Sequence, residues 1–388
     1  MPVVAPETLV EVPTFHRQSG LEIVQLGNTA LADIVARVYD PEAGELGDSL
    51  VAVHKDIGDV LDDVHGRVQA LTHQTRGAVE GLATGKTGGL FVEAFNAYSL
   101  YNAVSQIKAK VPQVEQAALR AGLDERVFDE ATGAYSLHSA MSTVREHASS
   151  DGRETLRHGL ERRLYTEASG AYSIYSAKST IREYAIHKEA LARGVDQRVL
   201  DEAMSAYSIY SGISTMREYA SNPGVRANMR TAMDKRVEDE AQDAYSLYSA
   251  ISTIREHASS QEAGQGMRLR LNGRVEREAL TTYSAHSGLS TARQYGYGSA
   301  KLQIEKKVAE KWLPLEQKDL EERQTKLDGI NQKLDEIKAK GRFKRLINWS
   351  KTKKLQASAK NQEMLLNSKK HSIAELTAII ETEPETEN

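Results

Sequence analysis

The sequence predicts an all-α protein: a helical repeat array of about 37 residues per repeat, solenoid or extended bundle, followed by a coiled-coil helical hairpin. Three observations carry this. First, the line Ala-Tyr-Ser-Ile-Tyr-Ser-Gly-Ile-Ser-Thr-Met-Arg-Glu-Tyr-Ala at 206–220 returns with small edits from Ala134, Ala171, Ala244 and Thr282, and degraded from Ala97. Its anchoring tyrosines, Tyr98, Tyr135, Tyr172, Tyr207, Tyr245 and Tyr283, are separated by 37, 37, 35, 38 and 38 residues, the mark of stacked supersecondary units. Second, the chain holds only 8 prolines and few β-branched runs. Third, Leu313, Leu320, Leu327 and Leu334 recur every seven residues, with Ile330 and Ile337 at complementary positions.

Composition narrows the function classes. With no cysteine in 388 residues, disulfides, cysteine-ligated zinc and a thiol nucleophile are excluded. A formal charge of −4 argues against nucleic acid as a partner. No run of about 18 apolar residues exists and the first residues lack a basic region followed by an apolar one, so the expectation is a soluble protein, cytoplasmic or exported without a Sec-type signal.

Taken in order, residues 1–19 contain three prolines and no helical period, and read as an extended or disordered arm. Residues 20–76 form an N-terminal helical segment. Within it Leu50, Val53, Ile57, Val60, Leu61, Val64, Val68 and Leu71 make one apolar stripe that must pack on something. The acidic residues Asp56, Asp59, Asp62 and Asp63 read as the solvated face opposite that stripe rather than a metal site. Residues 77–90 are glycine-rich and read as a hinge. Gly85-Lys86-Thr87 does not complete a phosphate-binding loop, because Glu80 stands where that motif needs glycine and no strand precedes it.

Residues 91–298 hold the six copies. Upstream of each full copy lies an Arg-apolar pair with Glu-Ala three residues further on, as at Arg198-Val199 and Glu202-Ala203, which predicts one continuous helix of about 24 residues, with a short helix before it. Glycines 122, 159, 194 and 273 read as the punctuation between the two. Projected on a helix, Val199, Ala203, Ala206, Tyr210 and Ile213 form the core-facing stripe. Two aromatic positions accept Tyr or His, one at 101, 138, 175, 210, 248 and 286, the other at 147, 184, 219, 257 and 295; a metal ligand cannot be exchanged for Tyr so freely, and both suit a half-buried interface or groove. Arg198 and Glu202, four apart, are placed to pair on one helix.

A hydroxyl-rich flank persists from copy to copy although the linkers between copies share almost nothing, which points to a constrained face. Its residues are Tyr135, Ser136, Tyr172, Ser173, Tyr207, Ser208, Ser211, Tyr245, Ser246 and Tyr283, expected to contact a protein partner or another copy of the chain. The doublets Arg145-Glu146, Arg182-Glu183, Arg217-Glu218 and Arg255-Glu256 cannot pair internally in the usual way and are expected to bridge neighbouring copies.

Residues 299–380 form the hairpin, with Leu366, Ile373 and Ile380 continuing the heptad. Its tip is basic and aromatic: Arg342, Phe343, Lys344, Arg345, Trp349 and Lys353 could meet anionic lipid or an acidic partner. Residues 381–388 form an acidic tail expected to be disordered. No nucleophile and base, paired carboxylates, cofactor motif or metal cluster emerges, and no small-molecule substrate is evident. The expected function is a non-enzymatic scaffold or assembly subunit acting through its Tyr/Ser face. The alternative is a membrane-engaging helical protein, a secreted effector or pore-type component, using residues 338–354.

Overall fold

A computed structural model describes residues 6–36, 46–83, 85–339 and 349–382, with side chains in the first helix from Thr14 onward. The described residues are all-α and contain no strand. The chain divides into two compact units, Met1–Met233 and Asp234–Asn388.

In the first unit, α1 (Pro6–Ala36) and α2 (Leu46–Leu82) precede α3 (Gly85–Phe95). The expected extended arm at 1–19 is therefore corrected from residue 6 onward: Pro6 occupies the first helical position, where its missing N–H costs no hydrogen bond. The apolar stripe of α2 is buried as expected, at Leu50, Val53, Ile57, Leu61, Val64, Val68 and Leu71. The expected hinge at 77–90 is mostly helix, since Gly77 and Gly81 lie inside α2 and the chain turns at Gly85, whose φ is +62°.

The copies follow, the second and fourth with three helices and the third with two. α4 (Leu100–Lys110) belongs to the first copy. The second has α5 (Gln113–Gly122), α6 (Asp124–Thr132) and α7 (Leu137–His147); the third α8 (Arg153–Ser169) and α9 (Ile174–Tyr184); the fourth α10 (Lys188–Gly194), α11 (Asp196–Ser205) and α12 (Ile209–Tyr219). α13 (Pro223–Asp243) carries the division between units, and α14 (Leu247–His257), α15 (Gln261–Thr281) and α16 (Ala285–Tyr295) complete the copies.

The continuous helix expected through each Ala-Tyr-Ser does not form. Each copy breaks there, and a second helix of 11 residues starts after the serine. Ser99, Ser136, Ser173, Ser208, Ser246 and Ser284 all take extended backbone, and each side chain accepts the N–H three residues on. Serine competes with the backbone for hydrogen bonds inside a helix but satisfies an orphan donor at its start, so the same residue that weakens a long helix founds a new one. The break also resets the helical phase: Ile209 is buried and Tyr210 is exposed, so the expected core stripe through Tyr210 is corrected.

The glycines are only partly punctuation. Gly122 and Gly194 end α5 and α10, whereas Gly159 and Gly273 lie inside α8 and α15. A Cβ at Gly122 would stand 2.9 Å from the Phe91 ring and one at Gly159 would stand 2.7 Å from Phe128. At Gly194 it would overlap Tyr165. Phe91, Phe128 and Tyr165 are buried and occupy equivalent places in successive copies, so in these three cases an aromatic ring is seated against a glycine of the next copy, whereas Gly273 has open space.

α1 and α2 run along this stack in opposite directions. On α2, His54 Nδ1 contacts the Gly194 carbonyl at 2.8 Å and His65 Nδ1 that of Gly159 at 3.0 Å, while Val68 and Val79 lie against Gly159 and Gly122. On α1, His16 reaches Asp124 at 3.1 Å and Asn28 reaches His187. The second unit has its own hairpin: α17 (Ala300–Ala339), which contains Pro314, pairs with α18 (Trp349–Glu381). Leu327, Leu334, Ala359 and Leu366 form one cluster between them, and Ile304, Val308, Leu376 and Ile379 join α15 and α16 in another. Residues 340–348 and 383–388, holding most of the expected basic tip and acidic tail, lie outside the described residues.

Replacing Gly159 by Ala should destabilise the protein by about 1–3 kcal/mol, despite a gain in helix propensity of up to about 1 kcal/mol, because the methyl meets the fully buried Phe128. Gly273→Ala, also mid-helix but exposed with open space, should stabilise by about 0.5–1 kcal/mol. Denaturant unfolding of both variants checks the pair.

Candidate interaction surface

The Ala-Tyr-Ser corner presents the same surface in every copy. Between the two helices the chain turns, the serine folds back onto the next helix, and the tyrosine is left outside. Tyr98, Tyr135, Tyr172, Tyr207, Tyr245 and Tyr283 are 88–102% exposed. Three residues on, Tyr101, Tyr175, Tyr210 and Tyr248 are 63–71% exposed, and His138 and His286 are exposed at the same position in the other copies. The other Tyr/His position is half-buried at His147, Tyr184, Tyr219, His257 and Tyr295.

The expected interaction residues therefore separate into two roles. Ser136, Ser173, Ser208 and Ser246 are helix caps, and Ser211 supplies the N–H that Ser208 accepts, its own hydroxyl lying 3.1 Å from that of Ser208. Capping explains why these serines repeat. Tyr135, Tyr172, Tyr207, Tyr245 and Tyr283 do no such work in the fold.

The Arg-Glu doublets at 145–146, 182–183, 217–218 and 255–256 are exposed in every copy. Arg145 and Arg255 donate to Ser142 and Ser252 on their own helices, and Glu146 and Glu256 accept from the same two serines. The expected bridge between copies is thus corrected for these two doublets, because the last turn of each short helix carries them to solvent. Glu183 does reach the neighbouring copy's side: with Tyr184 it borders a cleft of about 420 Å³ whose other walls are His138, Met141, Ser142, Arg145, Arg153 and Arg157.

A different arginine ties the copies. Arg126 donates to the Phe95 carbonyl at 2.7 Å, Arg163 to those of Ala131 and Ala134 at 2.9 and 2.5 Å, Arg198 to Ser169 at 3.0 Å, and Arg274 to Gln242 and Ala244 at 2.8 and 2.6 Å. Each reaches back to the end of the helix that precedes the Tyr-Ser corner of the preceding copy, where carbonyls have no helical partner. Arg126, Arg163 and Arg274 also pair within their helices, with Glu130, Glu167 and Glu278, as does the equivalent Arg236 with Glu240.

Two residues before each of these arginines stands a residue that the sequence reasoning missed. Asp124 accepts the Ser149 N–H at 2.8 Å, Glu161 that of Ile186 at 2.7 Å, Asp196 that of Ser221 at 3.0 Å and Asp234 that of Ser259 at 2.8 Å; Asn272 accepts that of Tyr297 at 2.9 Å and donates to the Tyr297 carbonyl. In every case the partner lies 25 residues downstream. The signal was present as a recurring acid or amide after an apolar residue. Burial pushes the Asp196 carboxyl above its ordinary pKa, opposed by Lys178, whose own pKa burial holds down. Burial likewise holds His158, beside Glu161, below the usual imidazole range.

Ser208→Ala should cost about 1 kcal/mol, the worth of an N-cap, while Tyr207→Ser should leave stability within about 0.5 kcal/mol. Asp234→Asn should fold like the wild type, since Asn272 makes the same contact, whereas Asp234→Ala should cost about 1–3 kcal/mol for the unpaired N–H of Ser259. Chemical denaturation of the four variants tests both statements. Comparison with protein-family models, curated proteins and solved structures finds no match to this chain.

Proposed function

We propose that the chain is a non-enzymatic helical-repeat scaffold that contacts protein partners, or other copies of itself, through its row of corner tyrosines. One observation supports this above the rest: the copies keep a fully exposed Tyr at the one position where the fold asks nothing of the side chain. Tyrosine is a rigid, amphipathic contact residue that loses little entropy on docking, and it is enriched where protein surfaces meet. Repetition at a fixed period adds multivalency, so weak single contacts sum to useful avidity. In the first unit His138 and Tyr184, one from each Tyr/His position, line the arginine-bearing cleft and add a surface suited to a partner side chain.

A membrane-engaging reading keeps one supporting observation. Trp349 is 65% exposed with Lys353 Nζ 4.9 Å from its ring, a pairing suited to a lipid interface. No described helix is long and apolar enough to cross a membrane.

The triple variant Tyr135→Ser, Tyr172→Ser, Tyr207→Ser should melt with the wild type yet lose self-association in light scattering, or partner retention on an affinity column. A wild type that stays monomeric at high concentration and retains no partner sinks the scaffold reading. In parallel, flotation with anionic vesicles should show no dependence on Trp349→Ala with Lys353→Glu; a loss of vesicle binding in that variant would favour the membrane reading instead.

A further inference from the structure

The third copy departs from the others at its acid. Where the second, fourth and fifth copies use Asp and the sixth Asn, the third has Glu161, one methylene longer. Two histidines accompany it, and neither recurs. His158 corresponds to Ala121 of the preceding copy. His187 corresponds to Ser150, Asn222 and Ser260 of other copies. Asn222 and Ser260 cap the helices that follow them, but His187 gives no side-chain cap to α10. The His187 position therefore gives up a cap that two other copies keep, and the structure brings the two histidines together with the acid: one ligand atom each from His158, Glu161 and His187 lies within 4.8 Å of the others.

The side chains are oriented for ligation. Glu161 divides its oxygens: Oε1 is held by the N–H groups of Ile186 and His187 at 2.7 and 2.8 Å, and Oε2 faces both imidazoles. His187 turns Nδ1 to Oε2 and Nε2 to the Asn28 side-chain oxygen on α1. That is the pattern of a ligating histidine whose far ring nitrogen is fixed by an outer hydrogen bond. His158 is 2% exposed, and its Nδ1 stops 3.9 Å from Oε2, too far for a hydrogen bond. A buried imidazole nitrogen aimed at a carboxylate oxygen, yet short of bonding it, leaves room for an ion between them.

We propose that His158, Glu161 and His187 form a binding site for a divalent transition metal of the zinc class, which tightens the contact between the third and fourth copies. Two imidazoles and one carboxylate suit Zn²⁺ or Co²⁺ rather than Mg²⁺ or Ca²⁺, which prefer oxygen ligands. Ligation replaces the Nδ1 proton of His187, which passes to solvent, while Nε2–H keeps its bond to Asn28. Three protein ligands leave a fourth position for water. The ion would bridge α8 to the segment that opens α10, adding to the side-chain-to-backbone hydrogen bonds that the equivalent Asp or Asn makes in the other copies.

The full chain is titrated with ZnCl₂, and separately with CoCl₂, by calorimetry and thermal unfolding. The wild type should take up one equivalent of metal and melt at a higher temperature with it; bound Co²⁺ should give visible d–d absorption. His158→Ala and His187→Ser restore residues found at the same positions of other copies, so both should fold, which circular dichroism verifies. Each should bind at least about tenfold more weakly and lose the metal-dependent rise in melting temperature. The site is refuted if the wild type takes up no stoichiometric metal, or if both folded variants bind it as the wild type does.

Discussion

The array rests on how it satisfies the ends of its own helices. Every helix leaves N–H groups unpaired at its start and carbonyls unpaired at its end, and a chain with this many short helices accumulates such groups where copies meet. Two side chains placed two residues apart answer both. In the second copy, Asp124 accepts the N–H of Ser149 ahead of the next helix, and Arg126 donates to Phe95 at the end of the previous one. The third copy repeats this with Glu161 and Arg163, and the sixth with Asn272 and Arg274. An acid at a helix start and a cation at a helix end also match the helix dipole. Because the acid reaches 25 residues forward, the pair fixes the register of neighbours as well as their stability.

Such an arrangement buries charge, and its cost falls unevenly. Asp124 is fully buried and is accompanied by His16 from α1, itself held at Thr75 of α2. Asp196 is buried beside Lys178, with pKa values displaced in opposite directions. Desolvation can exceed the attraction within a buried pair, so these contacts specify an arrangement more than they stabilise it. Stability comes from apolar burial, and here α1 and α2 matter: Val68 and Val79, eleven residues or three helical turns apart, meet equivalent glycines in successive copies. The missing side chains at Gly122 and Gly159 admit both the valine and the aromatic ring of the previous copy.

Period and composition were enough to read the helical class and the α2 stripe, because each is a property of single helices; of the expected heptad, Leu327, Leu334, Ile337 and Leu366 are buried, whereas α18 buries Leu376 and Ile379 in place of Ile373 and Ile380. What the sequence concealed depends on contacts between helices. Ala-Tyr-Ser-Ile-Tyr is compatible with a helix by propensity, and only the competition between serine as interior residue and serine as cap decides the break. Gly159 resembled a helix terminator because its packing partner, Phe128, is 31 residues away. The helical state of residues 6–19 was hidden for the same reason, since His16 is buried against residues 59 and 108 positions along the chain. Asp124 and its equivalents recur too plainly to be missed once the break is known, but without it they lie on an apparently solvated face.

The separation of Ser from Tyr at the corner changes what the repeated line implies. Had both been caps or core, duplication of a stable unit would account for the whole motif. The serines are accounted for by one hydrogen bond each, and Ile209 and its equivalents by burial. The tyrosines are accounted for by neither. A solvent-facing aromatic gains nothing from folding and exposes apolar surface that a polar side chain at the same position would not. A Tyr buried in a contact removes roughly 150–250 Å² from water, and its hydroxyl can bond at the rim. On the scaffold reading proposed above, the free energy that favours tyrosine at these six positions would come from the surface that covers them, not from the fold of the isolated chain.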